Sequence, residues 1–297
     1  MIRKIESDTL LVKIDDTGAE IQSIFSKADN CEYLWQADSP YWQRRAPVLF
    51  PIVGRLKNGH YRYNETDYAM GIHGFASASL FRCTKEETNR LVYTLSDSAE
   101  TRAVYPFGFT LQVSFTLEGC DLHIEYLVCN TGNTDLPFGI GAHEGFRCPR
   151  YSGECLEDYY LEFYGNVHGL QNHAFSGDGF LLDTSFPIPM QENRLPLTDK
   201  IFADYGTLLF KNTDCKKVAL KSTKSKAFVE VGYDAPHLAI WKQPGAPFIC
   251  IEPWHGLPDR DDTNGDFKTK EANTVLPPNG QKSFRHTVSV NAENLKH

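Results

Sequence analysis

Leu111-Gln-Val-Ser-Phe-Thr-Leu117, the connection Glu118-Gly-Cys-Asp121, and Leu122-His-Ile-Glu-Tyr-Leu-Val128 carry the clearest pattern in this chain. Leu111, Val113, Phe115 and Leu117 alternate with polar residues, and Leu122, Ile124, Tyr126 and Val128 answer them across the turn. A period of two puts one face of each run in a core and the other toward water, the signature of half-buried antiparallel strands. Two such runs joined by four turn-forming residues predict a hairpin and set the expectation for the rest of the chain.

The same reading extends outward in both directions. Leu10, Val12 and Ile14 alternate up to the turn Asp15-Asp16-Thr17-Gly18, and residues 19–25 resume the pattern, predicting a second hairpin. Residues 59–63 and 67–70 predict a third, through Asn64-Glu65. Residues 90–95, 159–163, 207–210, 218–220, 229–233, 238–241, 248–251 and 287–290 read as further short strands. Helical signals are few: a short helix within residues 96–103, and one turn over Ser39-Pro-Tyr-Trp-Gln-Arg-Arg45 behind a Ser cap. Residues 47–53 are apolar but interrupted by prolines, so they predict an irregular edge ending at Gly54-Arg55. Many short strands with turn signals and no sustained helical period indicate an all-β protein, a large antiparallel β-sandwich. No linker, low-complexity segment or repeat divides the chain, so a single domain over 1–297 is expected.

Composition excludes several classes. Hydrophobic residues are 41% and charged residues 23%, ordinary globular usage that argues against disorder or a membrane protein. A formal net charge of -8 argues against a nucleic-acid partner, which requires a basic face. The N-terminus turns polar before a signal-peptide core develops, and no apolar run reaches membrane-spanning length, so a cytoplasmic protein is expected. Eight cysteines without a Cys-x-x-Cys pair fit reduced, mostly buried thiols in that compartment. Edge strands of a sandwich can pair, so the chain is expected as a monomer or a homodimer, with no edge singled out.

Candidate chemistry centres on Phe248-Ile-Cys-Ile-Glu252-Pro-Trp-His-Gly256, where an apolar run delivers a carboxylate onto a Pro-Trp-His-Gly turn. A buried carboxylate is costly unless it is paired or used, and desolvation raises its pKa into a range useful for a general base. The plainer alternative is a Glu that accepts turn hydrogen bonds. His73 in Gly-Ile-His-Gly and His143 in Gly-Ala-His-Glu-Gly also lie within two residues of glycine, and each reads equally as a structural histidine. Metal motifs are weak: there is no His-Glu-x-x-His, and Asp262, Asn264, Gly265 and Glu271 match a calcium loop whose first ligand position is Arg260. No metal and no cofactor are expected. Gly-x-Ser-x-Gly, phosphate-loop and dinucleotide motifs are missing from the sequence. A carboxylate and histidines, with Arg55 and the aromatics Trp241 and Trp254, suit a sugar, whose apolar C–H face stacks on aromatics while charged groups hold its hydroxyls.

Gly54-Arg55, Ile72-His-Gly74, Gly141-Ala-His143, the Glu252-Pro-Trp-His-Gly element and Leu276-Pro-Pro-Asn-Gly280 together resemble the aldose 1-epimerases, or galactose mutarotases. The Glu-Pro-Trp turn is most similar to the LacX branch. The resemblance implies a galactose mutarotase-type β-sandwich and interconversion of the α and β anomers of a hexose without a cofactor. It implies Glu252 as base, His143 as acid, and Arg55 and His73 on sugar hydroxyls, with an aspartate expected at Asp204 or, as its rival, Asp234. The surroundings of His73 and the Glu-Pro-Trp turn depart from the galactose-specific pattern, which puts galactose itself in question. A hexose-6-phosphate 1-epimerase is the near alternative, with Arg44, Arg45 or Lys242 as phosphate partners. A non-catalytic carbohydrate-binding or sensing protein is the alternative of another class. A glycoside hydrolase ranks third, because only one carboxylate stands out where two are usual.

Overall fold

In the computed structural model, which describes residues 1–167 and 170–292, the hairpin quoted above forms in the expected register. Phe109–Glu118 pairs with Asp121–Asn130, setting Leu111 opposite Val128, Val113 opposite Tyr126, Phe115 opposite Ile124 and Leu117 opposite Leu122. Buried and part-exposed positions alternate along both strands, so the period of two in the sequence is the period of burial.

The hairpin belongs to a nine-stranded antiparallel sheet. In spatial order its strands are Arg194–Pro196, Tyr159–Tyr164, Lys217–Ser222, Phe228–Tyr233, Gln281–Asn291, Asp121–Asn130, Phe109–Glu118, Arg90–Ser96 and Arg82–Glu87. A second, five-stranded sheet is built on Phe248–His255, with His237–Trp241 and then Leu208–Phe210 on one flank, and Ile140–Gly141 and Glu144–Arg147 sharing the other. Its inward residues Leu238, Ile240, Ile249 and Ile251 join Val113, Leu122, Val231 and Val288 of the large sheet in one buried cluster that runs in sequence from Ile5 to Val290. The two layers are also joined by a hydrogen bond between Glu144 Oε1 and His286 Nε2, 2.8 Å apart and buried. This is an all-β sandwich of antiparallel sheets. A four-stranded sheet, which pairs Leu10–Asp15 with Glu20–Ser26 as expected, and the small hairpin His60–Tyr63 with Thr66–Ala69 complete the layers near the site.

Three local expectations are corrected. Residues 39–45 form no helical turn. The Trp42 carbonyl accepts from the Trp35 indole N–H at 2.8 Å, so the group a helix would use is held by a tertiary contact. Glu252 does not end its strand, because Phe248–His255 continues through Pro253. The Pro253 carbonyl accepts from Ala142 N on the flank where the neighbouring strands are interrupted, and a residue's N–H lies on the same side as its C=O, so the donor proline lacks faces that interruption. Asp199–Tyr205 is a helix capped by the Thr198 side chain, in a segment read only as a source of an aspartate.

Candidate active site

Alternation along Phe248–His255 builds the floor of the site. Ile249 and Ile251 turn into the core, so Cys250, Glu252 and Trp254 face the other side of the sheet. On the adjacent strand Trp241 lies opposite Cys250 and His237 opposite Trp254, while the residue opposite Glu252 is Ala239, whose small side chain leaves the carboxylate room. On the other flank Ala142 and His143 sit between two strand pieces, and His143 Nε2 comes to 3.3 Å from Glu252 Oε2.

Glycines shape this corner. A Cβ at Gly141 would stand 2.9 Å from the Trp254 ring, and one at Gly145 would stand 3.1 Å from the Trp42 ring and 3.3 Å from Trp35 Cβ. These positions flank His143 two residues away on each side, and so share its face of the strand. The spacing Gly141-Ala-His143-Glu-Gly145 thus leaves room for Trp254 at one glycine and for Trp42 at the other. Trp42 stacks on His143 with ring centroids 4.8 Å apart and 26° between planes, and Trp241 meets it edge-on at 5.8 Å.

The wall opposite is the irregular edge predicted from its prolines. Gly54 and His73 clasp each other: His73 N donates to Gly54 O at 2.9 Å, and Gly54 N donates to His73 Nδ1 at 3.1 Å. Because Nδ1 accepts, the ring proton of neutral His73 is on Nε2. His73 and Gly74 both have positive φ, and a Cβ on Gly74 would stand 2.3 Å from Phe50 O, so this turn requires glycine. Together these elements enclose a cleft of about 820 Å³ lined by Trp42, Arg44, Arg55, His73, His143, Trp241, Glu252 and Trp254, with Phe175, Ser176, Gly177, Gly179 and Tyr205 also on its wall.

Burial dominates the electrostatics. It pushes the Glu252 carboxyl well above the ordinary carboxylate range, and the charge of Glu144 adds to the effect. The Trp254 indole acts in the opposite direction, although its N–H closes no aligned hydrogen bond. Burial likewise holds His143 well below its ordinary value; the neighbouring His73, which would repel a second protonated imidazole, and the positive charge of Arg44 act the same way, against a smaller backbone contribution. His73 is lowered to about 4 by burial and then by Arg55. Both Glu252 oxygens and His143 Nδ1 are buried without a hydrogen-bond partner among the described residues. Such groups are costly to leave unpaired and are available to a ligand that enters the cleft.

Of the residues singled out in the sequence, Glu252, His143, Arg55, His73, Trp241 and Trp254 line this one cleft. The aspartates do not. Asp204 is on the exposed side of its helix, ion-paired with Lys200 one turn back at 2.6 Å, and its helix delivers Tyr205 to the cleft instead. Asp234 accepts from the Arg285 backbone and meets His255 Nε2 at 2.8 Å, also outside the cleft lining. Among the basic candidates Arg44 lines the cleft, whereas Arg45 donates to Gln36 O and Lys242 is buried against Asp199 at 2.8 Å. Trp42, Phe175 and Tyr205 also line the cleft, and nothing in the sequence around them separates a site aromatic from a packing one. The acidic loop resembling a calcium site is tied up by Arg260, which pairs with Asp262, Asp183 and Glu271.

An antiparallel sandwich whose smaller sheet bears a buried carboxylate against a histidine, under aromatic walls and two arginines, offers a cleft that can hold a small polar molecule beside two groups able to exchange protons. The chain belongs to the aldose 1-epimerase family, whose model matches residues 2–274, and is an isomerase with the galactose mutarotase-type fold. It is 33% identical to the plasmid-encoded protein LacX of Lactococcus lactis subsp. lactis, over 97% of this chain and 99% of that one. Among solved structures, a galactose mutarotase related enzyme from Lactobacillus acidophilus superposes with a TM-score of 0.93 at 34% identity, over the whole of both chains. A galactose mutarotase-like protein from Lactobacillus casei ATCC 334 does so with a TM-score of 0.93 at 32% identity, over 98% of this chain and all of that one.

Proposed function

We propose that this protein is an aldose 1-epimerase that interconverts the α and β anomers of a hexose, with Glu252 and His143 as its acid–base pair. The observation that carries this reading is the 3.3 Å approach of His143 Nε2 to Glu252 Oε2 on the floor of the cleft. Glu252 takes the proton of the C1 hydroxyl while His143 protonates the ring oxygen. The ring opens, rotation about C1–C2 presents the other face of the carbonyl, and the reverse transfers close it. Arg55 and the Nε2–H of His73 hold hydroxyls, and Trp241 and Trp254 offer faces to the apolar side of the sugar.

The reactive form has Glu252 ionised and His143 protonated. Burial favours the neutral form of the pair, which carries the same single proton and the same total charge, so one short transfer interconverts the two. Sugar hydroxyls that donate to the unpartnered Glu252 oxygens stabilise its ionised form, so substrate itself primes the base.

Arg44 and Arg55 face the cleft, while the carboxylate lining it, Glu252, lies in its buried floor. This favours, as a second reading, a hexose 6-phosphate whose phosphate meets a guanidinium. Polarimetry of freshly dissolved α-D-glucose, α-D-galactose and glucose 6-phosphate, with and without protein near pH 7, tests both. Faster decay in proportion to protein supports the epimerase reading, and the preferred sugar decides between its two forms. Glu252→Gln and His143→Ala should each lower the acceleration by roughly 10²–10⁴-fold with the fold intact. Sugar binding by calorimetry with no acceleration of any of the three would replace the epimerase with a binding or sensing protein. All eight cysteines are free, which supports placing the protein in the reducing cytoplasm, and no described helix is long and apolar enough to cross a membrane.

A further inference from the structure

We propose that His143, Cys250 and Glu252 form a site for a divalent transition-metal ion of the zinc class, and that the ion silences the acid–base pair when bound. One ligand atom from each residue lies within 4.8 Å of the others, and all three residues are buried. The pattern is invisible in the sequence because His143 is far from the other two. It arises because residues 250 and 252 share a face of one strand and His143 meets that face from the interrupted strand beside it.

The geometry suits a tetrahedral ion. Zinc bonds of about 2.0–2.1 Å to histidine nitrogen and carboxylate oxygen require those atoms to be about 3.3 Å apart. His143 Nε2 and Glu252 Oε2 are already at 3.3 Å, in an orientation that makes no hydrogen bond. The sulfur is the looser ligand and needs to close by up to about 1 Å to reach a zinc–sulfur bond near 2.3 Å. His143 and Glu252 line the cleft, so an ion can enter from there and keep a water or a sugar hydroxyl as a further ligand.

Charge balance points the same way. Taken as a neutral imidazole, a thiol and a carboxyl, the three buried groups carry no charge before metal binds. Binding M²⁺ displaces one proton from the thiol and one from the carboxyl. The product is again neutral overall: one dication with one thiolate and one carboxylate. No electron transfer is involved. A thiolate and an imidazole together select zinc-like ions over magnesium or calcium. With both proton carriers bound to metal, neither can exchange protons with a sugar.

The silencing rests on the epimerase reading, but the site does not, and the experiment separates them. The full chain, freed of metal by a chelator, is titrated with Co²⁺ alone. The expected result is the visible absorption of tetrahedral cobalt together with a near-ultraviolet thiolate-to-cobalt band, both displaced by Zn²⁺. Cys250→Ser should lose the thiolate band while keeping circular dichroism and thermal stability, and Cys155→Ser, which removes an exposed thiol, should keep it. Absence of a thiolate band in the parent protein, or its survival in Cys250→Ser, overturns the site. If Cys250→Ser fails to fold, a Co²⁺ titration of His143→Asn replaces it, and an unchanged visible spectrum there has the same consequence. In the mutarotation assay Zn²⁺ should remove the acceleration and chelator should restore it. Full activity in the Zn²⁺-loaded protein overturns the silencing and leaves the epimerase reading standing. No activity with or without metal, alongside the cobalt spectrum, overturns that reading and with it the silencing.

Discussion

In the proposed reaction His143 can work only as well as it is held, and Trp42 stacks on it. The indole covers one face of the imidazole, and the Trp42 carbonyl is fixed by the Trp35 indole. The following residues are anchored from the four-stranded sheet by Glu20, whose Oε1 accepts from Arg45 N at 2.9 Å and Ala46 N at 3.1 Å. Removing the ring frees the imidazole to turn away from Glu252, and misplacing a catalytic group by an ångström costs up to about 100-fold. Trp42→Ala should therefore lower kcat/KM by roughly tenfold to 100-fold, while Trp42→Phe, which keeps a stacking face, should recover most of it. Equal loss in both variants would mean that the indole contributes through something other than stacking. Trp42 also marks the limit of what the sequence discloses about the site. Glu252, His73 and Arg55 stand beside Gly or Pro, and His143 lies two residues from a glycine on each side, where an unusual backbone announces a purpose. Trp42 lies in Tyr41-Trp-Gln-Arg-Arg45, where nothing distinguishes a site aromatic from a packing one. Asp204 failed for the converse reason: an acidic residue was expected from a motif, but a helix with i to i+4 pairing points it outward.

At the scale of elements, the strands that alternate were legible and the segments that do not alternate were not. Phe109–Glu118 and Asp121–Asn130 declare their register in their side chains, whereas Arg82–Glu87 and Leu181–Pro187 are largely exposed and carry no apolar face to read. Phe248–His255 was legible only in its first half, because proline ordinarily ends a central strand and here faces a gap in its neighbour. The edge carrying Arg55 and His73 depends on backbone fit more than on side chains, which makes it testable by adding one carbon. Gly74→Ala would force a Cβ to within 2.3 Å of Phe50 O at a φ of +74°, so a loss of about 2 kcal/mol or more is expected. Gly71, on the same turn, has no atom within 4 Å of its would-be Cβ and no positive φ. Gly71→Ala should therefore lie within about 0.5 kcal/mol of the parent protein. Equal midpoints for the two variants in urea denaturation would contradict this account of the turn.

Across the whole molecule, one buried cluster unites residues from the first strand to the last, which supports reading the chain as one domain. A domain of that kind should unfold in one transition, coincident by fluorescence and circular dichroism. Its response to acid can be assigned to particular groups. His237 is buried on the site-bearing sheet, its Nδ1 accepts from Asn212 N at 3.2 Å, and burial, then the positive charge of Lys211, lowers its pKa to about 4. An unfolded histidine takes up its proton near pH 6.5. Between pH 6.5 and about 4 the unfolded state therefore binds a proton that the native state refuses, and stability falls as pH falls through that window. Above pH 6.5 the contribution is complete, and below about pH 4 it is gone. The shift corresponds to a loss of up to about 3 kcal/mol from this residue. His73, also lowered to about 4, acts in the same direction. His237→Asn keeps an acceptor for Asn212 N but removes the titration. Urea denaturation at pH 7 and at pH 4.5 should thus show a smaller acid loss in His237→Asn than in the parent protein. An identical loss in both would move the origin of the acid sensitivity away from this histidine and toward His73 and the carboxylates.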